Sequence, residues 1–247
     1  MCAATTEVDF FSIMPALAAI ILARLDSRRF PGKALQRLED MTVIEHVLRR
    51  LEHCNVFDSI VLATTARACD DALAAHFTAL GGQVYRATED EVNDVARRFV
   101  SAARSVGAVY ALRANGDSPF LDPWLVREGV HLLITEPDLA TNLLPRSYPY
   151  GVSVEIVKVS ALASVLEEMD NAEREHVTAF IYNHAERFQI ASTPMCPWPA
   201  CSTRLTIDEP QDLERLQRLI QKLQVPALEI GITSMIAAAN AEQTSAK

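Results

Sequence analysis

Glycine is scarce in this chain, which has eight glycines in 247 residues. That is about 3%, against the roughly 7% that is usual in proteins. Three of the eight follow helix-like segments, where a left-handed C-cap explains them. Three others, Gly32, Gly116 and Gly151, lie in loops. A glycine-poor chain that keeps glycines in these loops needs close backbone approach there.

Cysteine is odd in number and irregularly spaced. The five residues are Cys2, Cys54, Cys69, Cys196 and Cys201. This pattern is typical of reduced thiols in a cytoplasmic protein rather than of a disulfide framework. Cys196 and Cys201 resemble half of a zinc site, but no second pair or histidine cluster completes it, which argues against zinc.

The sequence also lacks an apolar run that fits a membrane span or a signal peptide. The segment from Phe10 to Ala23 is about 14 residues long, whereas a spanning helix needs about 20. Glu7 and Asp9 precede it where a signal peptide carries cations. We therefore predict a short leader over residues 1–15 and no membrane partner.

An excess of positive charge is absent too. The formal net charge is −9, which argues against a general nucleic-acid binder, because such a protein shows a basic face. Hydrophobic residues make up 49% of the chain, enough to bury a sizeable core in one α/β domain.

Apolar β-branched runs alternate with helix-like stripes through the first half and predict a mixed, mostly parallel, Rossmann-like sheet flanked by helices. Strands are predicted at Leu17–Leu22, Ser59–Thr64, Gln83–Arg86, Ala108–Arg113, Leu139–Leu144, Val152–Val159 and Thr203–Ile207. Helices are predicted at about 43–51, 68–80, 91–106, 160–169, 174–186 and 213–223, with a polar tail that frays after residue 240. The loops after the first and fourth strands should meet at one cleft, because parallel sheets bind ligands outside the carboxyl ends of their strands.

The loop after the first strand is basic although the chain is acidic. Arg24, Arg28, Arg29 and Lys33 fall within ten residues, and Gly32 precedes the lysine. Arginine forks and a lysine point charge match phosphate oxygens, so the loop is suited to a polyphosphate. It is not a Walker A loop, because the lysine is followed by alanine. On charge alone, a solvated surface loop is the alternative.

Two aspartates have both a structural and a chemical interpretation. Asp117 lies in a Gly-Asp-Ser-Pro turn, and Asp208 lies two residues before Pro210, where a helix cap is expected. Carboxylates from separate strand ends also suit a Mg²⁺ ion that neutralises a triphosphate.

Four segments, taken in order, resemble the cytidylyltransferases, a family that includes the CMP-Kdo synthetases and the spore-coat polysaccharide cytidylyltransferases. The segments are Ala23–Lys33 (A-R-x-x-S-x-R-x-P-G-K), Asn115–Pro123 (G-D-x-P-x-x-D-P), Arg174–Thr178 (R-E-H-V-T) and Arg204–Leu213 (R-x-T-x-D-x-P-x-D-L). The third is typical of the spore-coat branch. The resemblance implies a nucleotide-diphospho-sugar transferase fold, CTP as substrate, Mg²⁺ as cofactor and a cytoplasmic homodimer.

The resemblance also assigns residues to the nucleotide. Arg24, Arg29, Lys33 and Asp117 are the implied catalytic residues, and Asp117 and Asp208 are the implied metal ligands. The implied nucleotide-binding residues are Ala23, Arg24, Ser27, Arg29, Lys33, Arg86, Asn115 and Gly116. The chain departs from the family after Arg86, where the pattern D-V-L-x-R-[YF] places Val95 at the position of the arginine. Cytosine selection is therefore less strongly implied than phosphate binding.

On the acceptor side, Thr141–Glu155 resembles the branch pattern S-N-x-x-P-R-T-[FY]-P-x-G-x-D-V-E. The implied acceptor-binding residues are Arg146, Tyr150, Glu155, Arg174, His176 and Arg204. A purely structural role is the alternative for His176. Ser153 and Tyr150 stand where the branch often has charged residues, so we expect a small anionic acceptor other than Kdo.

The predicted function is transfer of CMP from CTP to an acidic sugar or a phosphorylated small molecule, with release of pyrophosphate. The predicted domain covers residues 16–223, with a nucleotide half at about 16–136, an acceptor and dimerisation half at about 137–223, and a C-terminal helix and tail over 224–247. A glycosyltransferase is one alternative, although the chain has no Asp-x-Asp metal motif. A nucleotide-binding protein without catalysis is the other.

Overall fold

A computed structural model describes residues 15–197 and 204–245 of the chain. Its strands are β1 (Leu17–Leu22), β2 (Arg37–Leu38), β3 (Met41–Thr42), β4 (Ser59–Thr65), β5 (Gln83–Ala87), β6 (Tyr110–Asn115), β7 (Leu139–Thr141), β8 (Glu155–Lys158) and β9 (Ile190–Ser192). Within the described residues, seven strands form one sheet in the order β5-β4-β1-β6-β8-β7-β9, and β2 pairs with β3 in a small hairpin.

The first four long strands of this sheet, β1, β4, β5 and β6, are parallel to one another. β8 is antiparallel to both β6 and β7, and β9 is parallel to β7. The sheet is therefore mixed and mostly parallel, which confirms the predicted fold class.

Helices follow the strands and cover both faces of the sheet. They are α1 (Val43–Cys54), α2 (Asp71–Ala79), α3 (Val95–Ser105), α4 (Pro123–His131), α5 (Val159–Ser164), α6 (Asn171–Glu175), α7 (Ala179–Asn183), α8 (Pro210–Leu223) and α9 (Ile232–Ser245). Side-chain caps set their starts: the Thr42 hydroxyl accepts from the Glu45 N–H, and the Asp94 carboxylate accepts from the Arg97 N–H. Local side-chain capping thus helps to set where helices begin in the predicted alternation of strands and helices.

The core lies in two layers, one on each face of the sheet. β1 shows why: Ala19 and Ile21 face the layer formed with α1, α4, α8 and α9, whereas Ala18 and Ile20 face α3, α5 and α7. Successive side chains of a strand point to opposite faces, so a strand that is covered on both sides is apolar throughout.

The C-terminal helix is tied to the sheet by buried polar groups. Asp122 Oδ1 caps α4 through the Trp124 N–H at 2.9 Å, and its Oδ2 accepts from the Ile232 N–H at 2.7 Å. Arg50, which is 2% exposed, donates to the Ile230 carbonyl at 2.7 Å, and burial lowers its pKa to about 10. α9 continues to Ser245, and fraying of the C-terminal tail stays a prediction.

The second half differs most from the predicted elements. β7 and β8 are shorter than expected, because the Asn142 side chain bonds to the Val152 carbonyl and the Val154 N–H, each at 2.9 Å, in place of a longer ladder. Residues 204–207 of the predicted strand Thr203–Ile207 form no strand. Their backbone instead makes isolated hydrogen bonds to other loops, such as the bond from the Leu205 N–H to the Tyr150 carbonyl at 2.7 Å.

Other boundaries also moved. The helices predicted at 160–169 and 174–186 are broken into α5, α6 and α7, while α4 and β9 were not predicted. Residue 203 and the leader over residues 1–14 lie outside the described residues. The division into a nucleotide half and an acceptor half stays a prediction.

Candidate active site

A cleft of about 1230 Å³ opens at the carboxyl ends of β1 and β6. The loops after these two strands form one wall, and α3 with the segment around α6 forms the other. The predicted site residues that line the cleft are Ala23, Arg24, Ser27, Arg29, Lys33, Asn115, Gly116, Asp117, Arg174, His176 and Asp208. The expected meeting of the loops after the first and fourth predicted strands is therefore observed.

The loop after β1 is closed by its own backbone. The Gly32 N–H donates to the Leu25 carbonyl at 2.8 Å, and Gly32 has a φ of 71°, which favours glycine. The Leu25 N–H in turn donates to Asp70 Oδ1 at 2.7 Å, and Asp70 is fully buried. This loop is thus held in place by a buried carboxylate from the loop after β4.

The loop after β6 approaches β1 closely. A Cβ atom on Gly116 would lie 2.5 Å from the Ala23 Cβ and 3.3 Å from the Leu22 carbonyl oxygen. The Gly116 N–H donates to that carbonyl at 3.0 Å. Glycine at this position lets the two loops come together, as the scarcity of glycine indicated.

Oppositely charged side chains from three separate segments meet at the floor of the cleft. The Lys33 ammonium lies 2.6 Å from Asp117 Oδ2 and 3.4 Å from Asp208 Oδ1. Arg29 Nη2 lies 2.8 Å from the same Asp208 oxygen. The Ile207 N–H donates to the Asp117 carbonyl at 2.9 Å, so backbone pairing also joins the two aspartate loops. We call Arg29, Lys33, Asp117 and Asp208 the charge cluster.

In the structure, neither aspartate side chain makes the helix-cap or turn contact that was its structural interpretation. Glu209 caps α8 in a capping box with Asp212, so the Asp208 carboxylate does not cap the helix. Asp117 bonds through its side chain to Lys33 and to the Ser118 hydroxyl, at 2.6 and 3.2 Å. Both carboxylates therefore face the cleft rather than the backbone of a turn or helix.

These two carboxylates fit a divalent cation. They already share one positive group, the Lys33 ammonium, which lies between them. The described residues contain no group of three or more His, Cys, Asp or Glu side chains arranged to hold a metal. Mg²⁺ does not require one, since it is often bound by one or two carboxylates together with substrate phosphates.

Arg24 and Ser27 line the cleft on the far side of the loop after β1. Arg24 Nε lies 3.2 Å from Asp26 Oδ1, and the other oxygen of Asp26 lies 2.7 Å from Arg67. Asp26 thus links Arg24, which lines the cleft, to Arg67, and both arginine side chains stay partly exposed.

Arg86 is not brought to the cleft. Its guanidinium donates to the Thr65 and Arg67 carbonyls, at 2.7 and 3.2 Å, and lies 2.7 Å from Asp71. These contacts tie β5 to the loop after β4. A role for Arg86 next to the base, implied by the resemblance, stays an untested prediction.

Arg98 is a cleft residue that the sequence reasoning missed. It is 3% exposed and lines the cleft, and its Nη1 donates to the Val92 carbonyl at 3.0 Å. Its buried Nε has no hydrogen-bond partner within the described part of the chain. Burial lowers the pKa of Arg98, and the charge of Arg24 acts in the same direction.

A sequence signal for Arg98 exists. The family pattern D-V-L-x-R-[YF] also fits three residues later, at Asp94-Val95-Ala96-Arg97-Arg98-Phe99, where only Ala96 departs from it. In this register the arginine is present. The structure favours it, because Arg98 is the residue whose guanidinium is buried at the cleft.

The predicted acceptor residues fall into three places. Arg174 and His176 line the cleft, and Arg174 Nη1 lies 2.5 Å from Asp94 Oδ2. Glu155 is 1% exposed, is paired with Arg113 and does not line the cleft, whereas Arg113 does.

Arg146, Tyr150 and Arg204 form an exposed stack outside the lining of the cleft. The guanidinium carbons of the two arginines lie 4.2 and 4.8 Å from the centroid of the Tyr150 ring. Arg204 also lies 4.0 Å from Asp208, so the stack borders the charge cluster without entering the cleft.

Known proteins resemble this chain over most of its length. The family model described as Cytidylyltransferase matches residues 18–234. The spore coat polysaccharide biosynthesis protein SpsF of Bacillus subtilis is 32% identical over 211 residues, which cover 82% of this chain and 85% of SpsF. The 3-deoxy-manno-octulosonate cytidylyltransferase of Geobacter sulfurreducens is 30% identical over 58% of this chain and 56% of its own length.

A solved cytidylyltransferase structure from Leptospira borgpetersenii superimposes with a TM-score of 0.84 and 25% identity, covering 94% of this chain and 96% of the other. The fold, the cleft and the sequence matches define a nucleotidyltransferase. The chain belongs to the cytidylyltransferase family. This confirms the predicted family and the predicted cytidylyl transfer, and it argues against the glycosyltransferase alternative.

Every helix within residues 15–197 and 204–245 is too short or too polar to cross a bilayer.

Proposed function

We propose that this protein transfers CMP from CTP to an acidic sugar or a phosphorylated small molecule, with Mg²⁺ as cofactor, during synthesis of a surface polysaccharide or glycan. The observation that carries the proposal is the charge cluster, in which Lys33 lies between Asp117 and Asp208. The similarity to SpsF and to the Geobacter enzyme supports the class of product.

The reaction is an in-line displacement at the α-phosphorus of CTP. A bond forms between an acceptor oxygen and this phosphorus while the bond to the pyrophosphate oxygen breaks, and the electron pair leaves with pyrophosphate. An acceptor phosphate that attacks is already ionised at neutral pH and needs no general base. A sugar acid attacks through a hydroxyl, whose proton passes to solvent as the bond to phosphorus forms.

The cations of the charge cluster can pair with two sets of anions, the aspartate carboxylates and the nucleotide phosphates. Without nucleotide they neutralise Asp117 and Asp208. In the proposed complex, Lys33, Arg29 and Arg24 turn to the β- and γ-phosphates and stabilise the charge that develops on pyrophosphate. Lys33 is suited to this exchange, because its side chain is flexible and its ammonium is a compact charge.

Asp117 and Asp208 would then hold Mg²⁺, which, when bound, neutralises the triphosphate and polarises its phosphorus. Ala23, Ser27, Asn115 and Gly116 supply the wall against which the nucleotide lies. Arg98, on α3 in the facing wall, adds a buried cation and is our candidate for contact with the cytosine half.

The other partner and location assignments stay proposals. Cys54, Cys69 and Cys196 are free thiols, which supports a reducing, cytoplasmic location. Leu144 and Met195 are exposed near the edge strand β9, which supports the homodimer implied by the resemblance. Sedimentation should give twice the mass of 27.2 kDa, and a monomer at micromolar concentration would contradict the dimer.

Pyrophosphate release tests the proposed function. Each of CTP, UTP, ATP and GTP is combined with a panel of sugar acids and sugar phosphates, with and without Mg²⁺. We expect release from CTP with at least one acceptor, dependent on the metal. Release that prefers another nucleotide, or none from CTP with any member of the panel, would contradict the proposal.

A further inference from the structure

Arg113 and Glu155 form an ion pair where the main cleft meets the second half of the protein. Arg113 lies on β6 and Glu155 on the antiparallel strand β8, one step beyond the paired residues Leu112 and Ile156. The two side chains are therefore opposite neighbours on one face of the sheet. Arg113 Nη1 lies 2.6 Å from Glu155 Oε2.

Glu155 is held from the other side as well. Its Oε1 accepts from the Thr178 hydroxyl and, at 3.1 Å, from the Tyr182 hydroxyl. Tyr182 also bonds to the Thr141 hydroxyl at 2.8 Å. Burial raises the pKa of Tyr182, and the Glu155 charge raises it further, so this hydroxyl stays protonated as a donor.

This network uses both oxygens of Glu155 but not all of Arg113. The carboxylate is 1% exposed, whereas 19% of the Arg113 side chain is exposed and lines the cleft. Arg113 Nε is buried and has no hydrogen-bond partner among the described residues. A guanidinium has five donors in a fixed fork, so a ligand in the cleft can still bind to it.

The place of this arginine indicates which ligand it would meet. Arg29 and Lys33 of the charge cluster are already matched by two carboxylates beside the nucleotide loops. Arg113 lies on β6, two residues before Asn115, and its partner Glu155 and the Thr178 hydroxyl bonded to Glu155 come from the second half. It lines the same cleft as Arg174 and His176, two of the predicted acceptor residues.

We propose that Arg113 binds the anionic group of the acceptor, a carboxylate or a phosphate, and that Glu155 is a positioning residue that fixes its guanidinium. The proposal rests on the proposed function and places anion binding at the cleft wall rather than at Arg146, a predicted acceptor residue that lies outside the cleft lining. A guanidinium that a carboxylate already holds on one edge binds an anion bidentately and loses little conformational entropy. Glu155, in turn, does not contact sugar hydroxyls.

The test compares binding of charged and neutral sugars to the CTP-saturated protein, followed by ligand-observed NMR, which needs no turnover. The probes are the sugar acids and sugar phosphates of the panel, each with its neutral parent sugar. Wild type should bind at least one anion at least tenfold more tightly than its parent sugar. In Arg113→Gln this preference should fall to about twofold or less, while CTP affinity stays within about twofold.

Two further variants separate binding from positioning. Arg113→Lys should recover part of the preference, because it restores the charge without the fork. Glu155→Gln keeps the size of the side chain but loses the charge and one acceptor oxygen, so it should weaken anion binding while CTP affinity stays within about twofold. Arg218→Gln, on the exposed face of α8, is the matched control and should behave as wild type.

Each contrary outcome has one meaning. An anion preference that survives in Arg113→Gln, or that is lost in Arg146→Gln instead, overturns the proposal. So does a wild-type protein that binds no anion of either kind. If anion binding depends on Arg113 but no acceptor releases pyrophosphate from CTP, the subsite stands and the proposed function fails. Sugar acids and sugar phosphates in separate arms identify which anion it takes.

Discussion

The two predicted halves of the chain, the nucleotide half and the acceptor half, are built from different kinds of secondary structure. On the nucleotide side, parallel strands of five to seven residues are each followed by a helix, and the functional loops start where the strands end. On the acceptor side, strands of three or four residues and helices of five or six alternate with loops. The charges differ in the same way: they lie in loops on the first side and on a strand and a broken helix on the second.

This difference teaches how the fold divides the chemistry. In the proposed function, the nucleotide side places its phosphate and metal ligands at the carboxyl edge of a parallel sheet, where open α/β sheets commonly bind ligands. The acceptor side fixes single polar residues through buried networks, such as the one around Glu155. Changes on the first side should therefore affect every acceptor alike, whereas changes on the second should depend on which acceptor is present.

The largest effect is expected at the carboxylates of the charge cluster. Asp117→Asn and Asp208→Asn should each lower kcat by about 10³-fold or more, since metal-held charge is worth several kcal/mol in the transition state. Far-UV circular dichroism should be unchanged. Asp40→Asn, at an exposed position, is the control. A variant that keeps wild-type rate and Mg²⁺ dependence would show that its carboxylate has only a structural role.

A smaller loss is expected at the cations of the same cluster. Lys33→Ala or Arg29→Ala should cost about 2–4 kcal/mol of transition-state stabilisation, the scale of one preorganised donor. The loss should be similar for every active acceptor in steady-state assays. Arg37→Ala changes an exposed cation that lies outside the cleft and should leave kcat unaltered. Normal pyrophosphate release from both cluster variants would contradict the assignment of Lys33 and Arg29 to phosphate binding.

The same contrast between the two sides explains which strands and helices could be predicted from the sequence and which could not. Leu17–Leu22 was predicted to the residue, because a short apolar run that follows Pro15 and ends just before the basic loop from Arg24 has few other interpretations. β9 has three residues, too few for a period to show, and the break between α6 and α7 depends on tertiary contacts. The lengths of β7 and β8 depend on Asn142, whose side chain replaces backbone hydrogen bonds between the two strands.

The candidate site followed a similar rule. The residues of the charge cluster belong to contiguous motifs, and the structure brings them together. The Arg113–Glu155 pair joins residues 42 apart in the chain, and no local pattern relates them. Arg98 was missed through a choice of register rather than through lack of signal.

The smallest effect concerns stability, away from both walls. Burial lowers the pKa of His46 below its ordinary value of about 6.5. Below that pH the unfolded chain binds the proton more readily than the folded one, so stability falls as pH falls. Between pH 7.5 and 5.5, urea unfolding should show wild type losing about 1 kcal/mol more than His46→Gln. Exposed His53→Gln should keep the wild-type slope, and equal slopes for all three proteins would contradict this role.

The central claim is that one cleft has a nucleotide side and an acceptor side that act separately. Steady-state KM values for CTP and for the best acceptor, measured in Arg24→Gln and in His176→Gln, test it most directly. Both side chains line the cleft from opposite walls, and neither is buried. We predict that Arg24→Gln raises the KM for CTP about tenfold, as expected for a lost charged hydrogen bond, with the acceptor KM unchanged. His176→Gln should do the reverse, and two variants that shift the same KM would contradict the division.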